Sequence, residues 1–130
     1  MHLNPTIGAS PRVRLFFYFK GEKMDIEKIR RLNDTFRKSF NGGRVVLTRC
    51  VQSLPDDDRK ELLKQVQEFK NFTEDNDPYG EHDFGAINFK NDTYFWKIDY
   101  YDTDYNYFSP DPGDPNVTNR VITIMRGDDY

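Results

Sequence analysis

Cysteine and histidine are scarce in this chain of 130 residues, which contains one cysteine, Cys50, and two histidines, His2 and His82. A single cysteine excludes an intramolecular disulfide and is typical of proteins in reducing compartments. A structural zinc site needs several clustered cysteines and histidines, which this chain does not offer. The sequence therefore predicts neither a metal ion nor another cofactor.

Long hydrophobic runs are absent as well. The apolar run near the N-terminus, residues 15–19, is far shorter than the roughly 20 residues that a membrane-spanning helix needs. Arg14 and Lys20 flank this run, and no small-residue cleavage site follows it, so it does not fit a signal peptide. We therefore expect a cytoplasmic protein that does not bind membranes.

Positive charge is rare in the second half of the chain. Residues 1–70 contain 15 Lys and Arg against 9 Asp and Glu, a net charge of +6, whereas residues 71–130 contain 4 against 13, a net charge of −9. Either the two halves neutralise each other in the fold, or the surface is dipolar and its acidic side meets a basic partner.

The hydrophobic pattern predicts an α+β fold. Apolar residues at three- and four-residue spacings predict helices at residues 24–40 and 53–70. Runs rich in β-branched and aromatic residues predict strands at 44–51, 84–90, 93–101 and 117–126, and a further strand at 12–20. Asn91 and Asp92 form the predicted two-residue turn of a hairpin. We expect a largely antiparallel sheet of four to five strands with two helices on one face, in a single domain over residues 24–130 that follows an N-terminal arm, residues 1–23.

Residues 71–107 are the most unusual part of the sequence, because aromatic rings and carboxylates alternate there and Lys90 and Lys97 are the only cations. Alternation along the second hairpin strand places Trp96 and Tyr100 on one face, where they are expected to pack under the helices. Rings are favoured at protein contacts, and loops that follow strands often carry binding residues. The residues that we expect to contact a partner are Asp99, Tyr101, Asp102, Asp104, Tyr105 and Tyr107.

A second candidate site consists of the consecutive residues Glu81, His82 and Asp83. A histidine flanked by two carboxylates can serve as a general acid or base. The simpler interpretation is a loop that enters a strand, in which His82 holds a backbone carbonyl. Cys50 and His82 form a candidate nucleophile pair, but Cys50 is expected to be a packed and inert thiol at the end of a strand.

The carboxylates after the hairpin imitate the start of a calcium-binding loop. The match fails because Tyr107 stands where the loop needs glycine, and Gly113 stands where it needs a bidentate glutamate. A looser divalent site made of Asp99, Asp102, Asp104 and Asp111 is the remaining alternative.

Several strings in the chain resemble a known family: GGRVVLT, FTEDNDPYGEHDFGA, YFWKIDYYD, SPDPGDP and RVITIM. On these strings, residues 26–130 resemble the family called domain of unknown function 3768. The resemblance implies small proteins of bacteria and their viruses, found in accessory regions of plasmids and phages near genes that blunt host defences. It implies no activity and no catalytic residue.

Together these features favour a non-enzymatic protein-binding module of mobile-element type. We expect an inhibitor of the anti-CRISPR kind, whose acidic aromatic face occupies a basic, nucleic-acid-binding surface of a host defence complex. Direct binding of nucleic acid is not expected, because carboxylates repel phosphates. The alternatives are a small hydrolase or transferase centred on Glu81, His82 and Asp83, and a module that sequesters a small ligand.

Overall fold

The computed structural model describes residues 25–129, so the predicted N-terminal arm and its strand lie outside the described residues. The helices are α1 (Ile26–Ser39), α2 (Arg49–Gln52) and α3 (Asp56–Gln67), followed by a 3-10 turn at Gly127–Asp129. The strands are β1 (Arg44–Leu47), β2 (Phe84–Phe89), β3 (Asp92–Tyr101) and β4 (Asn119–Arg126). The predicted α+β class is confirmed.

Helix α1 begins with a capping contact that its sequence favours and ends at a residue type that rarely adopts the left-handed conformation. Asp25 is the N-cap, and its Oδ1 accepts a hydrogen bond of 3.1 Å from the backbone N–H of Lys28. The helix ends at Phe40, which has a left-handed backbone (φ 58°) and whose N–H donates to the carbonyl of Phe36. The buried stripe of α1 includes two polar residues, Asn33 and Arg37, which matter for the sites below.

The strand predicted at residues 44–51 stops at Leu47, and Cys50 and Val51 lie in the short helix α2 instead. The last contact of this strand with β4 is the hydrogen bond of 3.1 Å from the N–H of Thr48 to the carbonyl of Ile124. The chain then turns into α2, which places Val51 in the core with no exposed surface. Burial of this side chain outweighs the β propensity of the local sequence.

The hairpin is confirmed, but its turn lies one residue earlier than predicted. Lys90 and Asn91 are the turn residues, with φ 49° and 71°, and Phe89 pairs with Asp92. Two successive positive φ angles match the right-handed twist of the flanking strands.

The four strands form one sheet in the order β1-β4-β3-β2, in which β1 and β4 are parallel and the other pairs are antiparallel. The buried apolar residues of all three helices belong to one core cluster with the side chains of one sheet face, among them Trp96, Ile98 and Tyr100. The alternate residues of β3 point to the other face of the sheet, where Lys97 and Asp99 are also buried.

Candidate functional site

The loop that follows β3, residues 102–107, is closed at its base by backbone pairing. Tyr101 and Phe108 form an isolated β-bridge, and the N–H of Asp102 donates to the carbonyl of Tyr107 at 2.8 Å. One residue further, the N–H of Ser109 donates to the carbonyl of Tyr100 at 3.0 Å. The loop is therefore an extension of the sheet with both ends fixed.

Hydrogen bonds within the loop fix its interior. The Oδ1 of Asp102 accepts from the N–H of Asn106 at 2.9 Å, and the carbonyl of Asp102 accepts from the N–H of Tyr105 at 3.1 Å. The amide of Asn119, on β4, donates to the carbonyls of Asp102 and Thr103 at 3.2 and 3.1 Å. The chain thus reaches Tyr107 in one defined conformation.

The six residues predicted to contact a partner lie at different depths. Tyr107 is 75% exposed, Asp104 is exposed, and Asp102 and Tyr105 are half-buried. Asp99 and Tyr101 are only 1% and 6% exposed, so the expectation of one continuous acidic aromatic face needs correction. The physical reason is that both faces of β3 are covered, and these two side chains point to the face opposite the helices.

Asp99 and Tyr101 belong to a polar centre in that second face of the sheet. The Nζ of Lys97 lies 3.7 Å from an Oδ of Asp99. Burial lowers the pKa of Lys97, although the carboxylate of Asp99 opposes this change. Burial, together with the charge of Asp99, raises the pKa of Tyr101 to about 12. Because these groups are buried inside the fold, a protein partner cannot contact them.

One cation of the first half of the chain contacts the loop of residues 102–107. The guanidinium of Arg44, on β1, lies 4.5 Å above the ring centroid of Tyr105. This contact joins the two halves of the chain, but it pairs a cation with an aromatic ring and not with a carboxylate.

Three of the four carboxylates in residues 102–114 bind backbone groups of their own loops. Asp102 accepts from Asn106 as described above, Asp111 accepts from the N–H of Gly113 at 3.0 Å, and Asp114 accepts from the N–H of residue 116 at 2.9 Å. Within the described residues, Asp104 makes no hydrogen bond or ion pair through its carboxylate and is exposed. It is therefore the carboxylate most available to a partner.

The structure does not assemble the looser divalent site. Asp99 is buried next to Lys97, whereas Asp102 and Asp111 are engaged by backbone N–H groups. Among residues 25–129, the one grouping of three ligand-type side chains within 4.8 Å is Cys50, Asp128 and Asp129, which lies elsewhere.

Cys50 is held in that other cluster and not beside His82. Asp129 accepts a hydrogen bond of 2.6 Å from the hydroxyl of Thr48, and Asp128 pairs with Arg126 at 2.6 Å. The pKa of Cys50 is raised, chiefly by a hydrogen bond with Asp129, so its thiolate is disfavoured. An activated Cys50–His82 pair is not formed.

The carboxylates around His82 are Asp34 and Asp77, not its sequence neighbours. Its Nδ1 lies 2.9 and 3.1 Å from the two carboxylate oxygens of Asp34, on α1. Its Nε2 lies 3.6 Å from one carboxylate oxygen of Asp77. The other oxygen of Asp77 accepts a hydrogen bond of 3.0 Å from the backbone N–H of His82. Phe72 stacks on the imidazole, with centroids 3.7 Å apart and planes at 4°.

The side chain of Glu81 points away from this imidazole, and the backbone of Asp83 leads into the sheet. The side chain of Glu81 is 1% exposed and accepts a hydrogen bond of 2.7 Å from the hydroxyl of Tyr100. The carbonyl of Asp83 accepts from the N–H of Ile98, at the start of the β2–β3 pairing. Adjacent residues diverge here because His82 has a left-handed backbone, with φ 55°.

Helix α1 holds the whole segment that leads to His82. Arg30 donates to the carbonyl of Gly80 at 2.7 Å, and Arg37 donates to the carbonyl of Phe69 at 3.1 Å and to Asp34 at 2.9 Å. With both ring nitrogens facing carboxylates and one ring face covered, His82 joins the segment 69–83 to α1. This supports the interpretation that His82 has a structural role. Its partners are side-chain carboxylates and not the backbone carbonyl that we expected.

Sequence reasoning missed a buried polar network centred on Asn33. Its amide donates to the carbonyl of Glu81 at 3.0 Å and to the hydroxyl of Tyr100 at 2.7 Å, and its Oδ1 accepts from Arg120 at 2.8 Å. Arg120 also donates to the carbonyl of Pro112, and burial lowers its pKa. The one sequence signal was an asparagine on the apolar stripe of a helix, which is unusual in a core.

No helix within residues 25–129 combines the length and the apolar character that crossing a bilayer requires. No curated protein and no solved structure matches the chain. A family model described as "Protein of unknown function (DUF3768)" matches residues 47–129, which include the loop of residues 102–107, His82 and Arg120. The match covers more than half of the chain, and the chain therefore belongs to the DUF3768 family.

Proposed function

We propose that the chain is a non-enzymatic protein-binding module, and that it contacts its partner through the loop of residues 102–107. The observation that carries this proposal is Tyr107, whose ring is 75% exposed and is the one exposed large hydrophobic side chain among the described residues. Exposed tyrosines are enriched at the centres of protein interfaces, where a ring can enter a pocket of the partner.

The fixed conformation of the loop supports this role. A flexible loop loses conformational entropy when it binds, at about 0.5–1.5 kcal/mol for each side chain that becomes ordered. Here the Tyr101–Phe108 bridge and the contacts of Asp102 fix the backbone before binding. Tyr107 is thus presented at a smaller entropic cost than on a mobile loop.

Charge indicates the class of partner. Residues 98–119 contain no Lys or Arg, and the exposed carboxylate of Asp104 lies three residues from Tyr107. A basic surface complements this arrangement and would speed association. We therefore keep a nucleic-acid-binding groove of a host defence complex as the proposed target, which makes the chain a counter-defence inhibitor of the anti-CRISPR type.

The loop can be tested by site-specific photo-crosslinking. A photoreactive phenylalanine analogue at position 107 is expected to capture one protein from a nuclease-treated extract of the source cells. The same analogue at Asp75, an exposed residue of a different loop, is the matched control. Equal capture from both positions, or none from position 107, would contradict the proposal.

The captured protein then allows a quantitative test. Tyr107→Ala is expected to weaken the complex by about 2 kcal/mol, roughly 30-fold in Kd, because an anchoring ring is removed. Asp104→Lys should weaken it and reduce its salt dependence, whereas Asp75→Lys should do neither. Both loop variants should keep the wild-type unfolding midpoint, since neither side chain is packed.

The enzymatic alternative finds less support in the geometry around His82. A general base needs a ring nitrogen that can reach substrate, and here Nδ1 bonds to Asp34 while Nε2 faces Asp77. A His82→Ala variant that lost an activity but kept its fold would favour the enzyme over the binding module.

A further inference from the structure

Strand β2 forms one edge of the sheet that the structure describes. The N–H of Ile98 donates to the carbonyl of Asp83, which fixes the alternation of hydrogen bonding between β2 and β3. The backbone groups of residues 85, 87 and 89 therefore face β3, as their register partners require. The backbone groups of Phe84, Ala86 and Asn88 face outward, and no strand within residues 25–129 pairs with them.

This edge lacks the devices that usually prevent strand pairing. Its sequence, FGAINF, contains no proline and no charge, and the side chains of Ala86 and Asn88 are exposed. Lys90, the cation that directly follows the strand, is engaged by Asp58 at 2.8 Å.

The opposite edge of the sheet, which β1 forms, offers fewer backbone groups for strand pairing. Strand β1 has four residues, and the carbonyl of Leu47 already accepts a hydrogen bond of 2.7 Å from the side-chain amide of Gln52. The two edges thus differ in length and in how far their backbone groups are occupied. Of the two edge strands within residues 25–129, β2 presents the longer row of outward groups.

The β2 edge is complementary to itself when two copies run antiparallel about Ala86. In that register Ala86 lies opposite Ala86 of the second copy, and Phe84 lies opposite Asn88 of the second copy. Three outward residues from each copy supply about six backbone hydrogen bonds. The smallest side chain stands at the axis, and no like charges meet along the six residues.

We propose that two copies of this chain form a symmetric dimer by pairing their β2 edges about Ala86, which joins two four-stranded sheets into one. An interface that closes on itself through a two-fold axis is the commonest form of homo-oligomer. This surface is distinct from the 102–107 loop, because Tyr105 of that loop contacts Arg44 on β1, at the other edge of the sheet.

The position of the axis gives a charge-swap test. In sedimentation experiments the wild-type chain, of 15.5 kDa, is expected to reach twice that mass as its concentration rises. Ala86→Lys and Ala86→Glu should each be monomeric, because each places two like charges opposite one another at the axis. An equimolar mixture of the two variants should recover a heterodimer, because the opposed charges then attract.

Thr35→Lys and Thr35→Glu are the matched controls, since Thr35 is exposed on α1 and these changes should leave the dimer intact. Circular dichroism separates loss of pairing from loss of fold. A wild-type chain that stays monomeric up to its solubility limit would overturn the proposal. So would dimers that survive both Ala86 variants, or a mixture that remains monomeric.

Disulfide trapping tests the register independently. Ala86→Cys in a Cys50→Ala chain should cross-link readily on oxidation, because directly opposed hydrogen-bonded residues lie about 5.5 Å apart at Cα, within disulfide reach. Thr35→Cys in the same chain should not cross-link. Equal cross-linking at the two positions would place the contact elsewhere and overturn the assigned register.

Discussion

Asn33→Ala offers the most direct test of the way this fold is held together. The substitution removes three hydrogen bonds, of 3.0, 2.7 and 2.8 Å, to Glu81, Tyr100 and Arg120. Asn33 has no exposed surface, so water cannot replace them without opening the core. Each buried group left without a partner costs about 1–3 kcal/mol, with more for a charged donor. Tyr100 and Arg120 each keep one other partner, so we expect a loss of about 3 kcal/mol.

The free energy of unfolding can be measured by urea denaturation with tryptophan fluorescence, since Trp96 lies in the same core. A loss of about 3 kcal/mol is a large share of the roughly 5–15 kcal/mol that stabilises a typical domain. Thr35→Ala, two residues along on the exposed side of α1, is the control and should change stability by less than about 0.5 kcal/mol. A loss below about 1 kcal/mol for Asn33→Ala would refute the reasoning, because it would mean that water reaches the network.

Three further predictions concern other parts of the fold. Gly43→Ala should destabilise by about 2–3 kcal/mol in urea denaturation, since its Cβ would meet the Arg120 carbonyl; an unchanged midpoint would contradict this steric argument. His82→Ala should speed amide hydrogen exchange across residues 69–83, because it removes the contacts that join this segment to α1; unchanged exchange would assign the anchoring to other residues. The raised folded pKa of Tyr101, about 12 against an ordinary value of 10.0, stabilises the fold below pH 10, and this stability is lost as the pH rises toward about 12. Tyr101→Phe should flatten that alkaline part of the stability profile, and a slope equal to that of the wild type would exclude Tyr101 as its cause.

Local sequence signals predicted most of the secondary structure. The spacing of Ile29 and Phe36 predicted α1, and alternating aromatic residues predicted the hairpin. The errors occurred where a tertiary contact outweighs local preference. Val51 is β-branched, yet it lies in helix α2, because its side chain is buried in the core there.

The candidate sites were harder to predict, because their members come from distant parts of the chain. The carboxylate that bonds to His82 belongs to Asp34, 48 residues earlier, and nothing in the local sequence links the two. The burial of Asp99 could not be inferred from alternation, which assigns a residue to a face but does not say whether that face is covered. The exposure of Tyr107 agrees with its predicted place in a loop that follows a strand.

The position of β4 in the sheet has a consequence for how the chain folds. This strand is the last in sequence, yet it lies between β1 and β3 and pairs with both. Arg44 must find Val121, far along the chain, before the parallel pair exists, so a large loop-closure entropy opposes early assembly. During synthesis the hairpin and α1 can form first, but the sheet cannot close until residues 119–126 have left the ribosome. We therefore expect folding to be slow for a domain of this size and to end in one late, cooperative step.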